Sequence, residues 1–411
     1  MLGAAYRSPL ARTWNALAAV LPPAIAPRRL DVDEMIARVA RKRGAGEWQR
    51  GPHVEAARRL VEAIEQTGRP HAFGRLYLRE MFCGLFDARA ALEAHWQRFP
   101  QILEQAVPRP LVILGLPRSG TSFLFNLLAN DPAHRYLRNW ETTVSQIPPP
   151  RPTSFDADPR RRVGARLMRL QRHLAPTLEH IHEFHLDGPE ECTPLLMHGF
   201  ATQALAGMFD VPAYSRWLDT VDHLPDYAHH KRVLQTLQAA YPAERWLLKS
   251  PDHLAGLDAL LEVYPDACLI HLHRDPVQSV ASWASLNAAF RGICSPQLDA
   301  GALGAQVLDR LATDMDAYLL ARERHPASRF LDLPYRELIA APVATVARIQ
   351  AHFGLDQSEA ARNAIDAFLG ADREKVRSHR YRPEDFGLTP EGIRTRFGNY
   401  IARFAVPPAG G

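Results

Sequence analysis

The 411-residue chain is poor in cysteine, with only four residues that lie far apart and form no CxxC pair, namely Cys83, Cys192, Cys268 and Cys294. This spacing indicates neither a zinc knuckle nor a disulfide framework, and it favours a reducing compartment. The sequence also lacks an apolar run of the roughly 20 residues that a membrane-spanning helix needs. Lys and Arg number 49 against 45 Asp and Glu, and the net charge of +4 falls short of a nucleic-acid-binding surface.

The N-terminus offers only a faint likeness to a secretory signal. Arg7 and Arg12 precede an apolar stretch and an Ala-Ile-Ala sequence. That stretch spans only about eight residues, contains Asn15 and ends at Pro22 and Pro23, which is too short for such a signal. We therefore expect a cytoplasmic protein. The alanine-rich helices near the N-terminus lack a strong basic amphipathic face, so contact with a membrane surface has no support there.

What the chain does contain is a hydrophobic fraction of 46%, enough for at least one large core. From about residue 30 to 105, apolar positions recur at helical spacing, which predicts a helical N-terminal region over 1–107. After Pro108, short apolar runs alternate with helical segments, which predicts an α/β domain over 108–405 with a parallel sheet flanked by helices. The four apolar runs are LVIL, RWLLKS, ACLIHLHR and RFLDLPY. Residues 148–162, with PPPRP and three consecutive arginines, predict a loop or hinge.

The first apolar run leads into GLPRSGTS, residues 115–122, which is the most informative segment. Gly115 and Gly120 have the spacing of a Walker A loop, and an apolar i, i+3, i+4 stripe predicts the following helix. Backbone N–H groups around residues 119–122 would point at an anion bound to the N-terminus of that helix. Thr121 replaces the Walker lysine, which argues against ATP or GTP hydrolysis, while Arg118 supplies a cation inside the loop.

The PRSGTS sequence after an apolar strand resembles the 5′-phosphosulfate loop of sulfotransferases, which use 3′-phosphoadenosine 5′-phosphosulfate (PAPS) as donor. The arginine in the loop resembles the tyrosylprotein and bacterial branches of that family. The resemblance implies a P-loop-NTPase-like fold, PAPS as co-substrate and no metal. It also implies that the donor is bound by loop residues Arg118, Ser119, Gly120, Thr121 and Ser122.

A second motif strengthens the resemblance. An apolar strand ends at Arg274, and Ser282 follows eight residues later, after an N-cap and first-turn proline at Asp275 and Pro276. In sulfotransferases an arginine and a serine at this spacing bind the 3′-phosphate that distinguishes PAPS from ATP.

Two aromatic residues resemble positions near the adenine in this family. Tyr335 follows the RFLDL run, where the family has a tyrosine close to that base. Phe123 stands where cytosolic members stack an aromatic ring on it, and it suits a position in the core equally well.

Sulfuryl transfer requires positioning, cationic stabilisation of the leaving oxygen and a base for the acceptor proton. Arg118 is the first candidate for the cation and Lys249, at the end of the RWLLK run, is the second. In an open α/β sheet both would lie with Arg274 beyond the C-terminal strand ends. For the base, Glu141 resembles the glutamate of tyrosylprotein sulfotransferases, and His253 is a competing candidate because a histidine normally titrates near neutrality.

The acceptor, a small molecule or lipid, is expected in a pocket formed by the N-terminal helices and by helices inserted around 142–245. Glu190 and Glu191 either border this pocket or form a solvated turn. Aromatic residues suit either a lipidic acceptor or a plain core: Phe184, Phe200, Phe209 and Trp217. The histidines at 180, 182 and 185 lack a ligand pattern, so no metal site is expected.

Two other functions stay open, and the oligomeric state is not indicated. A P-loop kinase of a small metabolite would respond to ATP with magnesium and not to PAPS. A non-catalytic nucleotide-binding protein would bind PAPS or its product without turnover.

Overall fold

The computed structural model describes residues 9–151, 154–174, 185–295, 298–356, 358–372 and 382–408. Its strands are β1 (Leu111–Leu114), β2 (His134–Arg135), β3 (Leu137–Arg138), β4 (Pro189–Glu190), β5 (Arg245–Lys249), β6 (Cys268–His273) and β7 (Phe330–Pro334). Five of them form a parallel sheet in the order β2-β5-β1-β6-β7, and β3 pairs with β4 in an antiparallel ribbon. The predicted α/β fold with a parallel sheet is confirmed.

All four apolar runs of the sequence form strands of this sheet. They are continuously apolar because helices cover both faces, so that every side chain of β1, for example, is buried. The two-residue strand β2 was not predicted, because His134 and Arg135 carry no strand pattern. β1 lies between β5 and β6, so the C-terminal ends of these three strands are neighbours at one edge of the sheet.

Helices cover much of residues 32–98, and further helices surround the sheet. The N-terminal helices are α1 (Pro9–Leu17), α2 (Val32–Arg43), α3 (Pro52–Ala63) and α4 (Ala72–Arg98). Between β1 and β5 lie α5 (Thr121–Leu128), α6 (Asn139–Thr143), α7 (Pro159–Leu174), α8 (Thr193–Leu196), α9 (Gln203–Gly207), α10 (Pro212–Trp217) and α11 (Leu224–Ala240). After β5 follow α12 (Leu257–Val263), α13 (Pro276–Cys294), α14 (Ala300–Arg322), α15 (Tyr335–Ala340), α16 (Pro342–Phe353), α17 (Glu359–Asp372), α18 (Pro390–Arg396) and α19 (Gly398–Phe404).

The N-terminal helices do not build a core of their own. Apolar side chains of α2, α3 and α4 share one cluster with residues of the 200–218 segment and with Cys294 at the end of α13. Phe200 and Phe209 are buried in this cluster and Trp217 packs against it, so these three aromatic residues are core residues. Phe184 lies outside the described residues.

In the segment predicted as a loop or hinge over 148–162, the described residues 148–151 and 154–158 are irregular, and helix α7 begins at Pro159. The prediction was wrong for the three arginines, which belong to the first turn of α7. The missed signal is a helix start at Asp158 and Pro159, where the Asp158 carboxylate accepts a hydrogen bond from the N–H of Arg160 at 2.9 Å. Among the described helices, none has the length and apolar character to cross a bilayer.

Candidate active site

The loop between β1 and α5 has an unusual backbone conformation. Three of its residues have a positive φ: Gly115 at 150°, Arg118 at 65° and Gly120 at 100°. A positive φ is uncommon for an arginine, and such strain is typical of functional loops. Helix α5 begins at Thr121, so the N–H groups of Thr121 and Ser122, the first two of the helix, have no intrahelical acceptor and lie at the sheet edge.

Ser119 adds a free polar group to this loop. Its side chain is fully buried, and its Oγ has no hydrogen-bond partner. Burying an unpaired hydroxyl is unfavourable. The loop therefore has the N–H groups and hydroxyls to bind an anion, and several of them are not satisfied by the protein itself.

Arg274 and Ser282 lie directly against this loop. The Nη1 of Arg274 donates to the backbone oxygen of Arg118 at 3.1 Å, and the Nε of Arg118 donates to the Oγ of Ser282 at 3.1 Å. Asp275 caps α13 as expected, by accepting from the N–H of Val277 at 3.1 Å. Two motifs more than 150 residues apart in sequence therefore form one continuous polar surface at the ends of β1 and β6.

The two aromatic residues lie on opposite sides of the loop. The guanidinium of Arg274 stacks on the ring of Tyr335, 4.0 Å from its centroid. The same ring approaches Gly120 so closely that a Cβ there would lie 2.5 Å from it, which explains why this position needs glycine. Phe123 is partly buried beside Phe368 of α17, with ring centroids 6.3 Å apart.

A cavity of about 160 Å³ opens beside Arg274, at the ends of β6 and β7. Tyr335 forms part of its wall, and the C-terminal segment closes it from the other side. Its lining includes Arg274, Gln278, Tyr335, Arg336, Pro407 and Pro408. The cavity is too small for a whole dinucleotide-sized ligand, but it extends the polar surface around Arg274 into a cleft.

The C-terminal helices brace the strand end that carries Arg274. Tyr400 of α19 is fully buried, and its hydroxyl accepts a hydrogen bond from the N–H of Arg274 at 3.3 Å. Arg394 of α18 forms an ion pair with the capping carboxylate of Asp275 at 2.8 Å. These helices therefore hold the start of α13 in position.

A cation and a carboxylate meet at the end of β5. Lys249 has a side chain only 5% exposed, and its Nζ donates to the Oγ of Ser122 at 3.3 Å. The same ammonium forms a close ion pair with Glu191, whose side chain is 22% exposed. The N–H of Cys192 donates to the backbone oxygen of Lys249 at 2.8 Å, which fixes the two residues side by side.

A second carboxylate lies behind this pair. Asp252 is partly buried and accepts hydrogen bonds from Ser250 at 3.0 Å, from Thr193 at 3.2 Å and from the N–H of Gln203 at 2.9 Å. Burial raises the pKa of Asp252 despite these hydrogen bonds. Because the contacts with Ser250 and Thr193 join the end of β5 to α8, Asp252 supports the position of Glu191.

Neither of the two predicted bases has the position that the role requires. Glu141 is fully buried and uses both oxygens, one in an ion pair with Arg135 and the other for the N–H of Arg138 at 3.0 Å. His253 is also fully buried, and its Nδ1 is hydrogen bonded to Tyr227 of α11 at 2.7 Å. Burial lowers the pKa of His253 well below that of a free histidine. The geometry favours Glu191 over both, although the sequence predicted for it only a position beside the acceptor pocket or in a solvated turn.

Among the described residues, one group of potential metal ligands meets, formed by His271, His273 and Asp332. Arg322 donates to both oxygens of Asp332, at 2.7 and 2.6 Å, and His273 bonds one of them at 2.9 Å. Burial opposes ionisation of Asp332, but these hydrogen bonds outweigh it and hold its pKa below the usual range. Because a guanidinium already neutralises the carboxylate, we interpret the group as a structural ion pair.

Of the histidines considered for a metal in the sequence, His180 and His182 lie outside the described residues. His185 is described and does not belong to the group formed with Asp332.

Comparison with known proteins shows that the chain is similar to sulfotransferases. The model of the sulfotransferase family matches residues 110–359. An omega-hydroxy-beta-dihydromenaquinone-9 sulfotransferase, Stf3, of Mycobacterium bovis is 27% identical over 323 residues, which cover 72% of this chain and 74% of the relative. The matched region includes the loop, β5, the Arg274 motif and Tyr335.

Two solved structures are similar over nearly their whole length. The sulfotransferase STF1 from Mycobacterium tuberculosis H37Rv has a TM-score of 0.80 at 30% identity, covering 90% of this chain and 99% of its own. The sulfotransferase STF9 from Mycobacterium avium has a TM-score of 0.83 at 28% identity, covering 94% and 99%. The similarity therefore extends beyond the α/β core to the N-terminal helices.

Proposed function

The chain belongs to the sulfotransferase family, and we propose that it transfers a sulfuryl group from PAPS to a hydroxyl or amine of an acceptor by in-line displacement. The observation that carries this proposal is the contact between its two anion-binding motifs. Arg274 bonds the loop through the oxygen of Arg118, and Arg118 bonds Ser282. A nucleotide with phosphates at both its 5′ and 3′ positions has the charge distribution that suits such a surface.

The donor-binding roles follow from these contacts. The N–H groups at the start of α5, with Ser119, Thr121 and Ser122, suit the 5′ end of the donor. Arg274 and Ser282 suit its 3′-phosphate. Tyr335 is proposed to lie near the adenine, in the cleft beside Arg274.

Two further loop residues are assigned to the donor. Phe123, which contacts Phe368 with one part of its ring, is proposed to border the base with its exposed part. Arg118 contacts Ser282, so we place its side chain at the 3′ side of the donor.

For the chemical step we propose Lys249 and Glu191. PAPS supplies a sulfuryl group, and attack by the acceptor oxygen breaks the S–O bond to its 5′-phosphate and releases 3′-phosphoadenosine 5′-phosphate (PAP). The ammonium of Lys249, held beside Ser122, stabilises the negative charge that develops on the leaving oxygen. Glu191 accepts the proton of the acceptor hydroxyl, and its ion pair with Lys249 places base and cation on the same side of the loop.

We propose a lipid or another apolar small molecule as the acceptor. The relative Stf3 is named for an omega-hydroxy-beta-dihydromenaquinone-9, which is an apolar molecule with a hydroxyl group. Glu191 is partly exposed on the side of the site formed by the inserted helices, where such an acceptor would enter. We also propose a cytoplasmic location, which the four buried free thiols support.

The proposal is tested by donor binding and by transfer. Isothermal titration should show that the wild-type protein binds PAP at least tenfold more tightly than ADP, because a charge-assisted hydrogen bond contributes about 1.5–3 kcal/mol. Arg274→Ala should remove most of that preference while changing ADP affinity little. Incubation with ³⁵S-labelled PAPS and hydroxylated lipids should then label a product.

Three outcomes would contradict the proposal. Equal affinity for PAP and ADP would remove the role of the 3′-phosphate site, and stabilisation by ATP with magnesium but not by PAP would support a metabolite kinase. Tight PAP binding without label in any acceptor would support a non-catalytic nucleotide-binding protein. Arg348→Ala is the matched control, because Arg348 is exposed and paired with Glu337 away from the cleft.

A smaller effect on PAP affinity is expected when Tyr400, whose hydroxyl contacts the backbone of Arg274, is replaced. Tyr400→Phe removes the hydroxyl that accepts the N–H of Arg274, and we expect PAP affinity to fall about threefold to tenfold, the equivalent of one ordinary hydrogen bond. ADP affinity should change less, since Arg274 does not contact ADP. Tyr318→Phe is the control, because the Tyr318 hydroxyl belongs to the same buried network but bonds Arg322 instead. Equal losses in the two variants would contradict a positioning role for Tyr400.

A further inference from the structure

Helix α7 carries two parallel stripes of exposed side chains. Val163, Leu167 and Leu170 follow the spacing i, i+4, i+7 and are exposed to 42%, 42% and 52%. A second stripe with the same spacing lies one residue earlier and consists of the exposed arginines Arg162, Arg166 and Arg169. At about 100° per residue, the apolar stripe lies between the buried face of the helix and the arginine stripe.

The opposite face of α7 is firmly attached to the protein. Gly164 lies so close to Trp140 of α6 that a Cβ there would be 2.5 Å from the tryptophan side chain. Arg160 pairs with Asp158 at 2.7 Å, and Arg161 pairs with Asp187 at 2.6 Å. The helix is thus a fixed part of the fold, and the three side chains of its apolar stripe remain exposed over about half of their surface.

This attachment places α7 next to the acceptor side of the site. Asp187, which pairs with Arg161, is four residues before Glu191, and it also accepts a hydrogen bond from the indole N–H of Trp140 at 3.1 Å. α6 packs against both α7 and β4, the strand that ends at Glu190. The exposed stripes are therefore on the outer side of the same elements that position the proposed base.

We propose that α7 binds the surface of an anionic membrane, with its apolar stripe inserted among the lipids and its arginines at the phosphate level. Three exposed apolar side chains in a row beside three cations are the pattern of an interfacial helix. Long arginine side chains can reach the headgroups while the neighbouring leucines enter the acyl region. A second copy of the chain fits less well, because two arginine stripes would be brought together.

The proposal extends the proposed function, since it would present the acceptor side of the enzyme to a membrane that contains a lipid acceptor. It can be tested without sulfuryl transfer. The full chain is sedimented with vesicles of phosphatidylcholine alone and of phosphatidylcholine with phosphatidylglycerol. We expect binding to the anionic vesicles only, and weaker binding at high salt because the arginine contribution is screened.

Two triple variants test the contributions of the arginine stripe and the apolar stripe to vesicle binding separately. Arg162→Gln/Arg166→Gln/Arg169→Gln should lower the partition coefficient about 100-fold, since each surface arginine contributes about fivefold. Val163→Ser/Leu167→Ser/Leu170→Ser should lower it by about tenfold or more. The control Leu320→Ser/Ile339→Ser/Val343→Ser removes three exposed apolar residues elsewhere, with exposed fractions of 64%, 49% and 47%, and should bind like the wild type.

Binding of PAP should be the same in all these proteins, which verifies that each is folded and keeps this test independent of the enzyme assay. Wild-type binding by both α7 variants, or equal losses in the control, would overturn the proposal. A different pair of results would also overturn it: the wild type does not bind anionic vesicles, and sedimentation velocity shows a dimer that the α7 variants abolish. In that case α7 would be a contact between copies of the chain.

Discussion

Replacing Lys249 with methionine is expected to lower kcat about 10²- to 10³-fold, the usual loss when one positioned donor to a developing negative charge is removed. Lys249 is the cation that the structure holds between the loop hydroxyl of Ser122 and the carboxylate of Glu191. Its side chain is almost fully buried, so water cannot replace it effectively. Affinity for PAPS should fall much less than kcat, because the bridging oxygen of PAPS carries little charge before the S–O bond breaks. The dependence of single-turnover ³⁵S transfer on the PAPS concentration measures the two quantities separately.

Loss of a buried cation can also unfold a protein, so the Lys249 experiment needs two comparisons. The double variant Lys249→Met/Glu191→Gln removes both charges and should regain any stability that the unpaired carboxylate costs, without regaining activity. Lys231→Met is the control for charge, since its ammonium bonds the backbone oxygen of Val263 away from the loop. If Lys249→Met lowered PAPS affinity and kcat to the same degree, Lys249 would be a donor-binding residue and not a transition-state cation.

The sheet could be predicted from sequence because its signal is local. A run such as Leu111–Leu114 between a proline and a glycine has few alternatives to a buried parallel strand. The glycine loop and Arg274 could be selected as candidates because both lie at fixed spacings within a strand-loop-helix unit and resemble the motifs of a known family. β2 could not be found, since two polar residues become a strand only through pairing with β5.

The proposed base could not be predicted, because its position depends on contacts distant in sequence. Glu141 has the spacing that the family resemblance suggests, yet Arg135 and the N–H of Arg138 use both of its oxygens. Glu191 is brought to Lys249 by the hydrogen bond between the backbones of Cys192 and Lys249, 57 residues apart. Nothing in the DGPEEC sequence indicates that pairing, so a solvated turn was an equally reasonable interpretation.

The contacts of Tyr400 and Arg394 that hold the start of α13 in position could not be predicted from the sequence either, although motifs around these residues could be recognised. Tyr400 reaches the backbone of Arg274 across 126 positions, and Arg394 reaches Asp275 across 119. Such contacts are set by how α18 and α19 pack on α13 and α14, which local patterns do not encode.

Glu191→Gln should produce a loss as large as that of Lys249→Met, about 10²- to 10⁴-fold in kcat on an alkyl alcohol acceptor, because a positioned base typically contributes that much. Glutamine keeps the size of the side chain and can still contact Lys249 and Thr193, so folding and PAP affinity should be retained. Glu190→Gln is the matched control, since the neighbouring carboxylate instead accepts a hydrogen bond from Asn139 at 2.8 Å.

A change of substrate distinguishes the proposed role of Glu191 as a base from the proposed role of Lys249 as a cation. With p-nitrophenyl sulfate and PAP the reaction runs in reverse, and the phenolate that leaves is stable without a proton, so Glu191 has no proton to supply. Release of p-nitrophenolate should therefore be almost as fast in Glu191→Gln as in the wild type. Lys249→Met should remain slow, because the reverse reaction crosses the same kind of transition state, with partial negative charge on the phosphate oxygen beside Lys249. Equal losses of Glu191→Gln in both directions would mean that Glu191 acts by orienting Lys249, and the proton of the acceptor would then have to leave through another group.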